Sequence, residues 1–366
     1  MSARIVLLGA SGYTGARTAE ALVARGARPV LAGRDPARLD PLAERLGGLE
    51  TAVADVTTPG SLGSVLGRGD VLVTTVGPFL KLGEPAVEAA VRAGAVYLDS
   101  TGEPPFVRRV FQHHGPRAVG TGAALLTAFG LDYVPGTLAG AIALGEAGDR
   151  AHRLDIGYAL DGTSGQAFSR GTFVSLGGVL FEQSHAFRDG RVQAEVAGRH
   201  RWRFTAGGRP RDGLSVGGSE HLTLPALAPT LRDVGVHLAW FGALTPVAHR
   251  LAPLSGLAAR LPGAGALAQR ATKVLGRRLG EAPSDATVAG ARTRTVAEVR
   301  DVAGELVSRA ELLGPEAYGL TAALLAWGAT RAADGGVTGS GALGPVQAFG
   351  LQALTDGAAE AGLHRA

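Results

Sequence analysis

The sequence predicts an α/β protein, a doubly wound parallel sheet followed by a second, mixed α/β domain. Three observations carry that expectation. Over the first 145 residues, short apolar runs alternate with helical patterns. The first run, Arg4 to Leu8, leads directly into the glycine triplet Gly9, Gly12 and Gly15, which opens a helix. From about Asp149 the rhythm changes to longer alternating runs joined by tight turns.

The expected strands of the first domain are Arg4 to Leu8, Arg28 to Ala32, Glu50 to Ala54, Asp70 to Thr75, Val96 to Asp99 and Gly122 to Thr127. Six such strands make a complete Rossmann-type dinucleotide-binding domain, assigned to residues 1–147. Helices are expected at Thr14 to Ala24, Thr57 to Leu66 and Glu84 to Ala93. Ala118 to Gly145 holds one charge, Asp132, and is long enough to cross a membrane. Its interior Gly130-Leu-Asp-Tyr-Val-Pro-Gly136 is a turn-and-cap cluster, however, so a buried strand and a helix starting near Pro135 fit better.

Residues 148–334 are expected to form a mixed α/β substrate domain. It would contain a strand at His152 to Leu160, a helix at Ser169 to Phe181, and a hairpin at Ser184 to Phe204 around Arg188-Asp189-Gly190. A second hairpin runs from Val296 to Leu313, turning at Ala303-Gly304, before a helix at Tyr318 to Ala332. Between the hairpins, Val234 to Gly280 has no Asp or Glu but carries Arg250, Arg260, Arg270, Lys273, Arg277 and Arg278, which suggests a basic helical insertion. Residues 335–366 begin as a glycine-rich loop and end in a helix expected to pack back on the first domain.

Composition removes several function classes. At 46 % hydrophobic and 19 % charged, with Gly 56 and Pro 19 of 366 residues, the chain stays below the combined Gly and Pro share of about 25–30 % found in low-complexity chains. Zero cysteines exclude disulfides, thiolate nucleophiles and cysteine metal sites. The net charge of +4 rests on scattered arginines, with only Lys81 and Lys273 as lysines, and aromatics are 5 %, so nucleic acid is not an expected partner. Met1 runs straight into the first strand without a secretory pattern, which makes a cytoplasmic location the expectation. His113 and His114 are adjacent rather than four apart, so no metal site is expected. Gly77 and Gln269 stand four residues before the lysines, which rules out a Tyr-x-x-x-Lys pair, and no Gly-Lys-Ser or Gly-Lys-Thr occurs.

The chemistry concentrates after the first strand. In Gly9-Ala-Ser11-Gly12-Tyr13-Thr14-Gly15, the first glycine permits a tight turn, the second admits a pyrophosphate and the third lets helix pack on strand. At the end of the second strand, where NAD sites usually carry an acidic residue, Ala32-Gly33 is followed by Arg34 and, one helical turn on, Arg38. Two guanidinium forks suit a 2′-phosphate, hence NADP. Asp35, before Pro36, reads as a helix cap. Asp55 is placed either to accept from an adenine amino group or to cap the next helix.

Several motifs together resemble the saccharopine dehydrogenase-like oxidoreductases, including the trans-acting enoyl reductases of polyketide and lipid assembly. They are Gly9 to Gly15, Ala32-Gly-Arg34, Thr75-Val-Gly-Pro-Phe79, Gly83-Glu-Pro85, Tyr97-Leu-Asp-Ser-Thr-Gly-Glu103 and Gly130 to Gly136. The match is dense to about residue 145 and thin at Asp161 to Ser169 and Tyr318-Gly-Leu-Thr321. The resemblance implies an NADPH-dependent reductase whose nicotinamide lies beside Val76, Gly77, Pro78, Phe79 and Leu80 and beside Asp99 to Glu103, with Asp132-Tyr133 on the adjacent strand end. A tyrosine often found in the family is replaced here by Leu82. Candidate proton donors are Lys81, Tyr97, Asp99, Glu103, Tyr133 or a water. Each has a plainer role: Tyr97 and Asp99 share one strand face and suit a core, Lys81 a solvated loop, and Glu103 a helix cap before Pro104.

The expected activity is hydride transfer from NADPH to a polarised double bond, in an α,β-unsaturated acyl or secondary-metabolite intermediate. A C=N compound of the saccharopine type and a non-catalytic dinucleotide sensor are the alternatives. Expected partners are a small-molecule or acyl substrate, a carrier protein or anionic membrane surface at the basic segment, and a second copy of the chain.

Overall fold

The computed structural model describes residues 3–162, 183–242, 245–258 and 290–366, which form two compact units. The first comprises Met1–Thr101, Phe106–Val134 and Tyr318–Gly362, and the second Gly102–Pro105, Pro135–Ala317 and Leu363–Ala366.

The first unit is built on β1 (Ile5–Leu8), β2 (Val30–Gly33), β3 (Thr51–Val53), β4 (Val71–Thr74), β5 (Val96–Asp99), β6 (Ala124–Leu126) and a short edge strand, Gly341–Ala342. All pair in parallel, in the order edge strand, β6, β5, β4, β1, β2, β3. The chain steps outward from β1 to β3 and then returns to the other side of β1, so the order reverses between β1 and β4. Every residue of β1, β2 and β4 is buried, as the continuous apolar runs require of strands covered on both faces.

The covering helices are α1 (Tyr13–Ala24), α2 (Pro36–Arg45), α3 (Phe79–Leu82), α4 (Glu84–Ala93), α5 (Pro104–Arg109) and α6 (Gly115–Thr121), the last two joined by a π-helical turn, Val110–His114. Asp35 caps α2, accepting from the Ala37 amide at 3.0 Å, and Pro36 supplies the preset first turn. Tyr97, Phe79, Phe106, Leu72 and Leu125 belong to one buried cluster. Elsewhere in this unit Trp327 stacks on Phe129 at 6.4 Å, and a Cβ at Gly357 would collide with that indole, so glycine lets the helix Leu351–Glu360 lie flat on it. The expected helix from Thr57 to Leu66 is instead a 3₁₀ turn, Ser61–Ser64, because Pro59 and then Gly60, at φ +80°, break the run.

The second unit holds β7 (Arg153–Asp161), β8 (Gln183–Arg188), β9 (Arg191–Val196), β10 (Arg201–Ala206), β11 (Arg209–Ser215), β12 (Asp233–Ala239), β13 (Arg292–Arg300), β14 (Leu306–Gly314) and an edge strand, His364–Arg365. Its order is β10, β11, β12, β7, β13, β14, edge strand, with β8 pairing β12 and β9. β7 and β12 are parallel and the other pairs antiparallel, so the sheet is mixed. The second hairpin forms; the first turns as expected through Asp189 at φ +51° and Gly190 at φ +76° but ends at Val196, and Phe204 instead lies in β10, paired with β11. The helix α7 (Val134–Ala147) packs on β7 through Gly140, where a Cβ would crowd Leu154 and Ile156.

That packing moves the unit boundary to Val134 from the expected 147. The helix Ala317–Ala333 counts, from Tyr318 on, with the first unit rather than the second, because Trp327 packs on Phe129 and Phe349. The basic insertion cannot begin at Val234, since β12 is an interior strand in which Val234, Val236 and Leu238 alternate into the core. A helix, Thr245–Ala258, follows; the rest of the basic stretch and the expected helix Ser169 to Phe181 lie outside the described residues. Among the described residues, no helix is long and apolar enough to cross a membrane.

Candidate active site

At the carboxyl end of β1, Gly9 takes φ +87°, and a Cβ there would crowd Val76 and Thr75. A Cβ on Gly15 would collide with the Gly9 carbonyl oxygen, so the third glycine is what lets α1 close on the loop. Gly12 is the exposed N-cap of α1, with no side-chain cap and no acidic residue in the first turn. Among the described residues no side chain caps this end of α1, so the positive end of the helix faces a loop that can admit an anion. Tyr13 lies in that first turn, and the Thr14 carbonyl accepts from Thr18 at 2.8 Å.

Arg34 is exposed at the end of β2. Arg38, also exposed, donates to the Ser11 carbonyl at 3.2 Å, fastening the second cation to the glycine loop. Asp55 accepts from the Thr57 amide and hydroxyl, both at 2.8 Å. These bonds, and after them the nearby Arg34, hold its carboxyl below the usual value. Of the two roles open to Asp55, the turn-capping one is formed, without the helix that was to follow.

The loop after β4 closes the other side of the reversal. Thr75 donates its hydroxyl to the Gly9 carbonyl at 3.3 Å; Val76 is half-buried, and Gly77 and Pro78, joined by a cis bond, are exposed. Phe79 is buried against Phe106 at 5.7 Å, whereas Lys81, on α3, is exposed.

Two of the proposed donors sit too deep to meet solvent. Tyr97 is fully buried in an apolar cluster, and burial, then the neighbouring Asp99 carboxyl, pushes its hydroxyl pKa well up. Asp99 is fully buried as well, accepting from the Thr101 and Ala128 amides at 2.9 and 2.8 Å and from the Thr127 hydroxyl at 2.7 Å. Those bonds hold Ala128 at φ +60°, a conformation costly for a residue with a side chain, so Asp99 shapes the turn that follows β6. Glu103 is buried and belongs to the second unit.

The turn shaped by Asp99 carries Asp132 and Tyr133, joined by a cis bond. Tyr133 is buried and its amide donates to the Ala128 carbonyl at 2.8 Å. Asp132 is half-buried, and desolvation raises its pKa to about 7 with no hydrogen bond or charge among the described residues to offset it. The reading of the sequence named the Asp132-Tyr133 strand end but not this carboxyl as a donor. In the sequence Tyr318 and Thr321 stand out only as the ends of the short motif Tyr318-Gly-Leu-Thr321. In the structure Tyr318 meets Tyr13 edge-on at 5.1 Å, Arg17 lies 4.8 Å over the Tyr13 ring, and Thr321 accepts from the Leu131 amide at 3.1 Å. One helical face thus ties the glycine loop to the Asp132 turn, giving an anion cradle and a carboxyl that titrates near neutrality at one end of one sheet.

Part of the chain is similar in sequence to known enoyl reductases. The trans-acting enoyl reductase of Mycobacterium ulcerans (strain Agy99) is 40 % identical over 140 residues, 37 % of this chain and 34 % of that protein. The trans-acting enoyl reductase of Mycobacterium leprae (strain TN) is 42 % identical over 140 residues, again 37 % of this chain and 34 % of that protein. The matches thus span about a third of the relatives' length. Among solved structures, apo histidine-tagged saccharopine dehydrogenase (L-Glu forming) from Saccharomyces cerevisiae covers 100 % of this chain and 99 % of its own at a TM-score of 0.61 and 14 % identity. No protein-family model matches. The chain has the saccharopine dehydrogenase-like fold, and its similarity in sequence is to trans-acting enoyl reductases, as the motifs indicated.

Proposed function

We propose that the chain is a cytoplasmic NADPH-dependent reductase that saturates the polarised C=C bond of an α,β-unsaturated acyl substrate. The observation that carries this reading is the open α1 N-terminus behind Gly9–Gly15, flanked by Arg34 and Arg38. The likeness to trans-acting enoyl reductases supports the choice of bond. The first amides of α1 would hold the pyrophosphate, and Arg34 and Arg38 the 2′-phosphate. When bound, the cofactor supplies the hydride, which goes to the β-carbon. Asp132, close to half-protonated at neutral pH, gives the matching proton to the α-carbon. Lys81 and Tyr133 are the other donors to be separated from it by substitution.

Fluorescence titration with NADPH and NADH tests the cofactor. NADPH is expected to bind more tightly, and Arg34→Ala to cost about 1.5–3 kcal/mol, roughly ten- to a hundredfold, with NADPH alone. Equal affinities, or an unchanged Arg34→Ala, would overturn the assignment. NADPH oxidation with enoyl thioesters, with imines, or with neither then distinguishes an enoyl reductase from a C=N reductase or a sensor. The basic residues Arg270, Lys273, Arg277 and Arg278 suit an acidic carrier protein that presents the acyl group. Their reversal to Glu is expected to lower kcat/KM for a carrier-bound substrate and to spare a free thioester.

A further inference from the structure

We propose that Glu84, Glu88 and His114 of the first unit form a binding site for a divalent transition metal of the zinc class. Glu84 and Glu88 are four apart on α4 and so share one face. His114 ends the π-helical turn between α5 and α6, a kind of irregularity frequent at functional sites. It is 2 % exposed, and neither ring nitrogen makes a hydrogen bond among the described residues. Both nitrogens nevertheless face carboxylates: Nε2 is 3.6 Å from Glu84 Oε1, and Nδ1 is 3.4 Å from Glu88 Oε1.

A neutral imidazole has one N–H and one lone pair, so one of these two contacts sets a lone pair against a carboxylate oxygen. A cation between them removes that conflict. One ligand atom from each of the three residues lies within 4.8 Å of the others, and an imidazole nitrogen with two carboxylate oxygens is a donor set that zinc accepts, water completing the shell. The entrance is open, since the Glu84 and Glu88 side chains are 47 % and 25 % exposed. Arg109 pairs with Glu84 at 3.0 Å, and Arg117 with Glu88 through two bonds. Both guanidinium groups are on the surface and can swing aside for an ion. An ion held here would join α4 to the α5–α6 segment, fastening helices of one unit rather than taking part in hydride chemistry.

The test is calorimetric titration of the untagged, metal-stripped full chain with zinc chloride, together with its Tm. One equivalent is expected to bind and to raise Tm. His114→Ala and Glu88→Gln should each weaken binding at least about tenfold. Arg117→Ala should tighten it by removing the competing cation. If His114→Ala fails to fold by circular dichroism, Glu84→Gln, at the exposed rim, carries the same expectation. No uptake by the wild type, or equal uptake by wild type, Glu84→Gln and Glu88→Gln, overturns the proposal.

Discussion

Asp99 and Asp132 belong to the same end of the parallel sheet, and both lose most of their contact with water, yet the two regions put a carboxyl to opposite uses. Around Asp99, two backbone amides and a hydroxyl converge on the two oxygens. Burial still raises its pKa, but those donors, with the Tyr97 side chain beside them, work against the rise and make the group a fixed anchor for the turn at Ala128. Around Asp132 no donor among the described residues opposes desolvation, and the pKa climbs to about 7. Burial alone therefore does not mark a reactive acid. What separates a fixed anchor from a group that titrates near neutrality is whether the charged form finds hydrogen bonds.

Substitutions can break this contrast, and the largest effect is expected at the anchor. Asp99→Ala leaves the Thr127 hydroxyl and the Thr101 and Ala128 amides without their acceptor, and should cost about 3–5 kcal/mol in urea unfolding. A loss below about 1 kcal/mol would show that the turn does not depend on it. Asp132→Asn should raise the urea midpoint at pH 8, because it removes a charge that desolvation penalises, while lowering turnover about a hundredfold or more. Its pH behaviour sharpens the point. The wild-type rate should fall as pH rises through about 7, and the variant should lack that limb.

Stability carries the same signature. Because folding raises the Asp132 pKa from 3.8 to about 7, the protonated carboxyl favours the folded state below the lower value, and that contribution is lost as pH rises to the upper one. Urea midpoints across this range should decline in the wild type and flatten in Asp132→Asn. The smallest effect is expected of Thr127→Val, which deletes one of the donors to Asp99 and should cost about 1–2 kcal/mol without altering the pH profile of turnover. A shifted profile would mean that the two carboxyls are coupled and the contrast false.

Much of the fold was legible because its causes are local. Continuous apolar runs announce strands covered on both faces, Asp35-Pro36 announces a capped helix, and a glycine triplet at the end of a strand announces a turn that only small residues can make. Where the reading missed, a local signal was overridden or overlooked. Pro59-Gly60 stopped a helix, and the alternation of Val234, Val236 and Leu238 made an interior strand from what looked like the start of a helical segment.

The sequence by itself determined the parallel sheet, the anion cradle behind Gly9–Gly15 and the cations at the end of β2, since each depends on residues within a few positions of one another. Only the tertiary structure decided which acids are anchors and which titrate. The donors to Asp99 from Thr127 and Ala128, the loss of water around Asp132, the meeting of Tyr13 with Tyr318 and the two carboxylates beside His114 all come from distant parts of the chain. A side chain's charge state depends on its surroundings in space, and those are set by how the elements pack.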